Sequence, residues 1–345
     1  MERSAKPGAL LLKATAVATG TGTALAHEKW FFDGEPYATS LASALTPPNL
    51  YYVLAALVVT AAATWAWHRR GNRSVLPGPA SFGADVARRR ALYALLPAVV
   101  GAHLAVPLLV SGMQGTLFVP NAELSGAWPY VLGVAQVGIA LSLFYGGLVR
   151  LAALGLAVTW WVGWIAVGVE PMLEAVHILG FAAFFWFAGR GPFAIDRVAF
   201  PRLEPPAHAV RWALPALRIG VGAGLVVLAF TEKLANLPLA TGFLETHPIN
   251  VPAALGLGVP DATFMLTAGA IELTVGLCLV LGVFPREVIL IAWLPFNLTL
   301  SVFDWVELVG HLPTYGAMAT LLVWEPNDQE TRLWREGLRG EPHAL

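Results

Sequence analysis

The chain has 345 residues and a formal net charge of -1, and 57% of its residues are hydrophobic whereas only 12% are charged. Soluble domains carry roughly 25% charged residues, so this composition excludes a soluble globular protein. The sequence has no basic stripe interleaved with aromatic residues, so we do not expect nucleic acid as a partner. The sequence therefore predicts an all-α, polytopic membrane helical bundle whose first partner is the lipid bilayer.

The first 26 residues have the pattern of a secretory signal. Two basic residues precede an apolar run, and the segment ends in Ala24-Leu25-Ala26, the small-x-small pattern of a signal-peptidase site. We expect cleavage after Ala26, which makes residues 27–49 an extracytoplasmic segment. The alternative is that the segment stays uncleaved as an additional span.

Nine apolar stretches downstream are long enough to cross a hydrocarbon core of about 30 Å. They cover residues 50–67, 91–110, 128–148, 151–169, 171–188, 214–231, 262–284, 288–302 and 308–324. Trp and Tyr lie at many of their ends, where an amphipathic ring prefers the membrane interface. The sequence thus predicts nine transmembrane helices.

The basic residues predict the orientation of these helices. Downstream of residue 26, only Lys29 and Lys233 fall on one side of the predicted topology. The other side carries Arg69, Arg70, Arg73, Arg88, Arg89, Arg90, Arg150, Arg190, Arg197, Arg202, Arg211, Arg218, Arg286, Arg332, Arg335 and Arg339. Because basic loops stay in the cytoplasm, we expect a bacterial inner-membrane protein with a cytoplasmic C-terminus. Its N-terminus is extracytoplasmic if the signal is cleaved.

The chain also aligns with itself. Residues 90–103 match 211–224, and residues 136–150 match 272–286. Each copy holds four spans, and because four is even, both copies enter and leave on the same side. We therefore expect parallel repeats related by a pseudo-twofold axis along the membrane normal.

The predicted organisation is one leading helix followed by two four-helix units, a 1+4+4 arrangement. The segments after the extracytoplasmic one are a first helix at 50–70, a degenerate unit at 90–188, a cytoplasmic linker at 189–211, a second unit at 212–324 and a cytoplasmic tail at 325–345.

Three motifs follow one another in the second unit. They are LRIGVG at 217–222 on the helix that ends in EKL at 232–234, IELTVG at 271–276, and VELVGH at 306–311. This unit resembles the DoxX family of small four-helix bacterial membrane proteins. The resemblance implies a subunit of, or an accessory to, quinone-linked membrane redox metabolism, with quinone and an extracytoplasmic redox partner as binding partners.

The first unit resembles a degenerate copy of the same pattern. Ser111 and Gly112 stand at the positions of Glu232 and Lys233, and Gln136 stands at that of Glu272. A site of this type is therefore expected in the second unit, and substitution of Gln136 is expected to have little effect.

Ionisable residues inside a bilayer are costly and face protein or water. Glu272 lies within an apolar span, and Lys233 is its natural partner. We predict that Glu232, Lys233, Glu272 and His311 form the reacting group, as a proton or quinone-headgroup site. The alternative interpretation of the Glu272–Lys233 pair is a structural ion pair that orients two helices.

Histidines and carboxylates on the extracytoplasmic side suggest a metal site. Glu307 and His311 are four residues apart on one helical face, and His177 and Asp304 are predicted at the same membrane edge. Imidazole and carboxylate at such spacing bind a divalent metal or relay a proton. A bland alternative is that acidic residues gather there because the topology excludes basic ones.

The mature N-terminus suggests copper. After cleavage, His27 would offer an amine and an imidazole nitrogen, a donor pair that copper favours. The alternative is that the segment starting at His27, with its Trp-Phe-Phe sequence, lies as an amphipathic stretch on the outer membrane surface.

Two other classes of function fit the same sequence. Parallel repeats with a membrane-embedded glutamate are typical of a transporter for a small solute, a proton or a metal ion. A non-catalytic membrane scaffold would use the same residues only to satisfy helix ends. His103 is interpreted as a hydrogen-bonded core residue and Cys278 as inert packing.

Overall fold

The computed structural model describes residues 28–31, 37–324 and 327–339, without the side chains of Leu298, Ser301, Asp304, Asp328 and Arg339. The predicted signal segment and His27 lie outside this part of the chain. Most of the described residues are helical, and their β pairing is a single bridge between Thr116 and Glu123. The helices are α1 Glu28–Phe31, α2 Leu41–Ala44, α3 Asn49–Arg69, α4 Val86–Gln114, α5 Trp128–Tyr145, α6 Val149–Ala166, α7 Val169–Glu174, α8 His177–Ala188, α9 Asp196–Ala199, α10 Ala213–Leu228, α11 Leu237–Thr246, α12 Val251–Ala254, α13 Asp261–Leu281, α14 Pro285–Val323 and α15 Asp328–Arg339.

Six of the described helical segments are long and apolar enough to cross a membrane, which supports the multi-pass prediction. They are Asn49–Arg69, Val86–Gln114, Trp128–Tyr145, Val149–Ala166, Val210–Leu234 and Asp261–Leu281. The predicted span at 171–188 is broken instead into α7 and the short apolar helix α8, because the backbone of Ala175 departs from helical geometry between them. Six long apolar helices are therefore the crossing segments that length and composition alone support.

The last predicted pair of spans forms one helical run, α14, that doubles back on itself. Arg286 Nε donates to the carbonyl of Leu322 at 2.7 Å, and the Tyr315 hydroxyl donates to the carbonyl of Phe296 at 2.8 Å. A straight helix would hold residues 286 and 322 about 54 Å apart. The run therefore turns between Phe296 and His311, and the predicted spans 288–302 and 308–324 belong to its two limbs.

Contacts between loops and helix ends show which segments lie together at each end of the molecule. At the basic end, Arg286 Nη2 donates to the carbonyl of Pro77 at 2.7 Å, and Arg197 Nη1 donates to that of Leu338 at 3.3 Å. At the opposite end, Asn49 Nδ2 donates to the carbonyl of Leu234 at 2.9 Å. The arginine-rich loops thus meet at one end, as the charge pattern predicts.

The C-terminal helix α15 lies within the segment 325–345 that was predicted only as a cytoplasmic tail. Its Trp334 is fully buried. Its Glu330 pairs with Arg89 and accepts a hydrogen bond from the Tyr93 hydroxyl at 2.5 Å, so α15 is fixed to the start of α4. The helix therefore closes the basic end of the bundle.

Glycines set the closest helix crossings. A Cβ on Gly220 of α10 would lie 2.4 Å from Cα of Gly180 in α8, and one on Gly222 would lie 2.7 Å from the carbonyl oxygen of Gly276 in α13. Gly112 of α4 and Gly133 of α5 approach each other in the same way. Within a bilayer, close backbone packing of this kind is what holds helices together, because lipid tails are as apolar as the helix surfaces.

The two predicted units share local details. The turn after α5 holds Gly146 at φ 75° and Leu148 at φ 59°, and the turn after α13 holds Gly282 at φ 75° and Phe284 at φ 45°. A left-handed conformation is uncommon for leucine and phenylalanine. Its recurrence at aligned positions is a local similarity between the two predicted units.

Candidate functional site

The π-helical turn Ala229–Leu234, which follows α10, carries Glu232 and Lys233 at the opposite end of the bundle. π-Helical turns are rare and frequently occur at functional sites. In this turn two successive charged side chains are both buried, and Lys233 has no exposed surface. Lys233 lies in the turn where α3, α10 and α13 come together.

Three carboxylates surround the ammonium group of Lys233. Lys233 Nζ lies 2.9 Å from Glu28 Oε1, 3.1 Å from Glu272 Oε2 and 3.9 Å from Glu232 Oε2. The Glu272–Lys233 pair is the pairing that the sequence suggested. We refer to Glu28, Glu232, Lys233 and Glu272 as the Lys233 cluster. Fully ionised, it would carry three negative charges and one positive charge out of water, so it must hold protons or a further cation.

Glu28 is the member of the cluster that sequence reasoning missed. It lies on α1 and is completely buried, and its second oxygen, Oε2, accepts a hydrogen bond from Lys233 Nζ at 3.0 Å. Burial raises the pKa of the Glu28 carboxyl well above its usual range, although Lys233 opposes this. A signal was present in the sequence, since Glu28 and Lys29 interrupt an otherwise aromatic segment.

The second residue of α1 forms another ion-pair group. Lys29 Nζ lies 2.6 Å from Glu170 Oε1 and also pairs with Glu174. The Thr39 hydroxyl donates to the same oxygen of Glu170 at 2.8 Å. These contacts join α1 to α7, which belongs to the first predicted unit.

We expect acid to weaken the docking of α1. Burial raises the pKa of Glu170, but hydrogen bonds from Lys29 and Thr39 outweigh it and lower that pKa overall. A group with a lowered pKa stabilises the folded state above its ordinary value of about 4.3 and loses that contribution as the pH falls through the folded value. Hydrogen exchange of residues 28–31, corrected for intrinsic rates, should therefore increase below about pH 4.

At high pH, the contribution of Lys29 to stability changes in the opposite direction. Burial lowers the pKa of Lys29, but Glu174 and Glu170 outweigh it and raise that pKa overall, so its contribution persists up to the ordinary lysine value of about 10.4 and is lost only above it. Glu170→Gln should abolish the acid-dependent change, and Glu123→Gln, at an exposed carboxylate, is the matched control. Identical acid profiles for wild type and Glu170→Gln would show that this pair does not hold α1.

Aromatic residues complete the site. The ring of Trp30 lies 5.3 Å from that of His311, and a Cβ on Gly310 would approach the Trp30 ring to 2.2 Å. Phe31 stacks on Phe303 at 4.5 Å between ring centroids. The interpretation of this segment as an amphipathic stretch on the membrane surface is therefore wrong for Glu28–Phe31, because these residues pack between helices of the protein.

A small cavity adjoins the cluster between the two predicted units. Its volume is about 30 Å³, and Glu272, His177 and Trp30 are among the residues that line it. This is enough for about one water molecule. A quinone ring does not fit this space, so the residues of the cavity, as they stand, do not form a quinone-headgroup pocket.

The predicted metal ligands are not brought together as a set. His311 Nδ1 lies 3.3 Å from Glu307 Oε1, and both residues are buried. His177 lines the cavity, whereas His27 and the side chain of Asp304 lie outside the described residues. Within residues 28–31, 37–324 and 327–339, no group of three or more His, Cys, Asp and Glu residues is arranged to hold a metal ion.

The remaining residues of interest behave as packing groups. His103 Nδ1 contacts the carbonyl oxygen of Val99 at 2.8 Å, and Cys278 is buried. Gln136 accepts from the backbone N–H of Phe118 at 2.9 Å and donates to the carbonyl of Thr116 at 2.8 Å. Gln136 therefore fixes a loop of the first unit, and the expectation that its substitution has little effect is not supported by these contacts.

Comparison of the chain with protein-family models, curated proteins and solved structures gives no match.

Proposed function

We propose that this protein is a multi-pass membrane protein that takes up and releases protons at the Lys233 cluster, as part of the transport of a small solute or cation. The observation that carries the proposal is the burial of three carboxylates around one ammonium group. A surplus of negative charge out of water is stable only if protons or cations bind there. Carboxylates and histidines buried in this way relay protons in pumps and transporters.

The position of the cluster supports this proposal. Lys233 lies on the turn after α10 and Glu272 on α13, and both segments are long enough to cross a membrane. The cavity beside Glu272 reaches Trp30 and Gly310, so it extends from the cluster towards His311. His311 and Glu307 supply a further pair of groups able to pass a proton.

We also propose that the chain contains two DoxX-like units in a nine-span, 1+4+4 arrangement. Aligned glycine turns after α5 and α13 support the duplication. A second support is the equivalence of close crossings: Gly133 meets Gly112 in the first unit, and Gly269 meets Lys233 in the second. The quinone-linked redox role remains a prediction from the resemblance.

Proton uptake by proteoliposomes tests the proposed function. Purified protein is reconstituted with a pH-sensitive dye inside the vesicles, and a potassium diffusion potential, negative inside, is applied with valinomycin. We expect dye acidification faster than in empty vesicles. Glu272→Gln should slow it by at least about tenfold, because a residue that transfers protons contributes that much or more.

The matched control is Glu123→Gln, which removes an exposed carboxylate at the same end of the molecule. It should leave proton uptake unchanged. Equal rates in wild type, Glu272→Gln and empty vesicles would contradict the proposal and leave the cluster with a structural role. Quinone-dependent electron transfer by the purified protein, without proton uptake, would instead favour the redox role.

A further inference from the structure

Helix α1 has the features of an internal ligand. It consists of Glu28–Phe31; Glu28 is buried, and the other three side chains are partly buried. Glu28 pairs with Lys233, and Lys29 pairs with Glu170 and Glu174. Trp30 packs against His311, and Phe31 packs against Phe303. One helical turn thus presents a carboxylate, an ammonium group and two aromatic rings to four separate parts of the site.

The receiving surface belongs to the rest of the chain and is matched to these groups. Lys233 and Glu174 are buried charged residues of opposite sign, and they meet Glu28 and Lys29 respectively. Gly310 leaves the space that the indole of Trp30 fills, because any larger residue would collide with that ring. Recognition of charge and of ring shape is therefore built into one cleft.

The position of α1 depends on these side-chain contacts. A four-residue helix has no stability of its own in water, since helices shorter than about 12 residues are marginal even with favourable sequences. α1 also covers groups that the proposed function needs, because Lys233 and Glu28 have no exposed surface in this state. Displacement of α1 would expose Lys233 to the cleft that α1 now fills.

We propose that the cleft filled by α1 is a binding site for a short peptide or peptide-like compound that carries a carboxylate, an ammonium group and an aromatic ring, with α1 as its displaceable internal occupant. Such a ligand would pair its carboxylate with Lys233 and its ammonium group with Glu170 and Glu174. Its ring would occupy the space beside Gly310 and His311. The inference rests on the proposed function only in treating the Lys233 cluster as a working site.

Because α1 is attached to the rest of the chain, its competition with a free peptide for the cleft has a predictable strength. A segment attached by a short linker acts at an effective concentration of about millimolar, so it excludes a free ligand of similar affinity until that ligand reaches the same range. Removing the side chains of α1 should release the cleft and tighten binding of an external peptide. Wild type and variant should then differ in affinity and not in the number of sites.

The test uses full-length protein in lipid nanodiscs and the labelled peptide acetyl-Glu-Lys-Trp-Phe-amide, followed by fluorescence anisotropy. The variant combines Glu28→Ala, Lys29→Ala and Trp30→Ala. We expect it to bind the peptide at least about tenfold more tightly than wild type. Trp305→Ala, which removes an indole that is 59% exposed on α14, is the control and should bind as wild type does.

A folded triple variant that binds no more tightly than wild type, or that binds a scrambled peptide equally well, would overturn the inference. If the variant does not fold, wild type supplies the answer through hydrogen exchange of Glu28–Phe31. Millimolar unlabelled peptide should increase that exchange, and unchanged exchange would also overturn the inference. Proton uptake that depends on Glu272, without peptide binding, would leave the proposed function standing and remove only this site.

Discussion

Replacing Lys233 with methionine is expected to be the most destabilising single change in the cluster, at about 3–5 kcal/mol, the usual cost of breaking a buried ion pair. The change leaves Glu28, Glu232 and Glu272 buried together without the ammonium group that lies within 3.9 Å of each. The carboxylates must then bind protons, so the loss should be smaller at low pH. Thermal unfolding in detergent at several pH values measures it.

Glu272→Gln alone should cost less than Lys233→Met, because Lys233 keeps Glu28 at 2.9 Å. The double variant should be more stable than Lys233→Met alone, since it removes one of the three unpaired carboxylates. Strictly additive effects of the two changes on the free energy of unfolding would mean that Lys233 and Glu272 do not interact. The proposed pairing within the Lys233 cluster would then be wrong. A stable double variant that has lost proton uptake separates a working site from a structural pair.

Gly220→Ala is expected to disrupt the contact between the two predicted units. A Cβ at this position would lie 2.4 Å from Cα of Gly180 on α8, which neither backbone can accommodate without moving. Overpacking of this kind costs about 1–3 kcal/mol. The change should lower the unfolding temperature and slow proton uptake, because α10 leads directly to the turn that carries Lys233.

Gly138→Ala is the matched control for this prediction. Gly138 lies on α5, and a Cβ there would meet nothing within 4 Å. An alanine in a helix interior is favoured over glycine by up to about 1 kcal/mol, so the control should be neutral or slightly stabilising. Equal effects of the two substitutions would show that the α8–α10 crossing is looser than the structure describes.

The sequence by itself determined the class of the protein and the grouping of its loops. Long apolar segments can be recognised from the sequence because each must match the thickness of the bilayer, whatever its neighbours are. The distribution of the arginines predicts which loops lie on the same side of the membrane. A lysine and a glutamate placed in otherwise apolar surroundings predicted each other as partners, because a lone buried charge is costly.

Only the tertiary structure decided how these parts meet. The spacing at 288–302 and 308–324 indicated two apolar segments but not that α14 turns back within one helical run, which depends on contacts such as Arg286 with Leu322. The packing of Glu28 and Trp30 within the site also could not be predicted from the sequence, since a short aromatic segment is compatible with a position on a membrane surface. Its place follows from long-range pairing of Glu28 with Lys233 and from the space left by Gly310, and neither is encoded in local spacing.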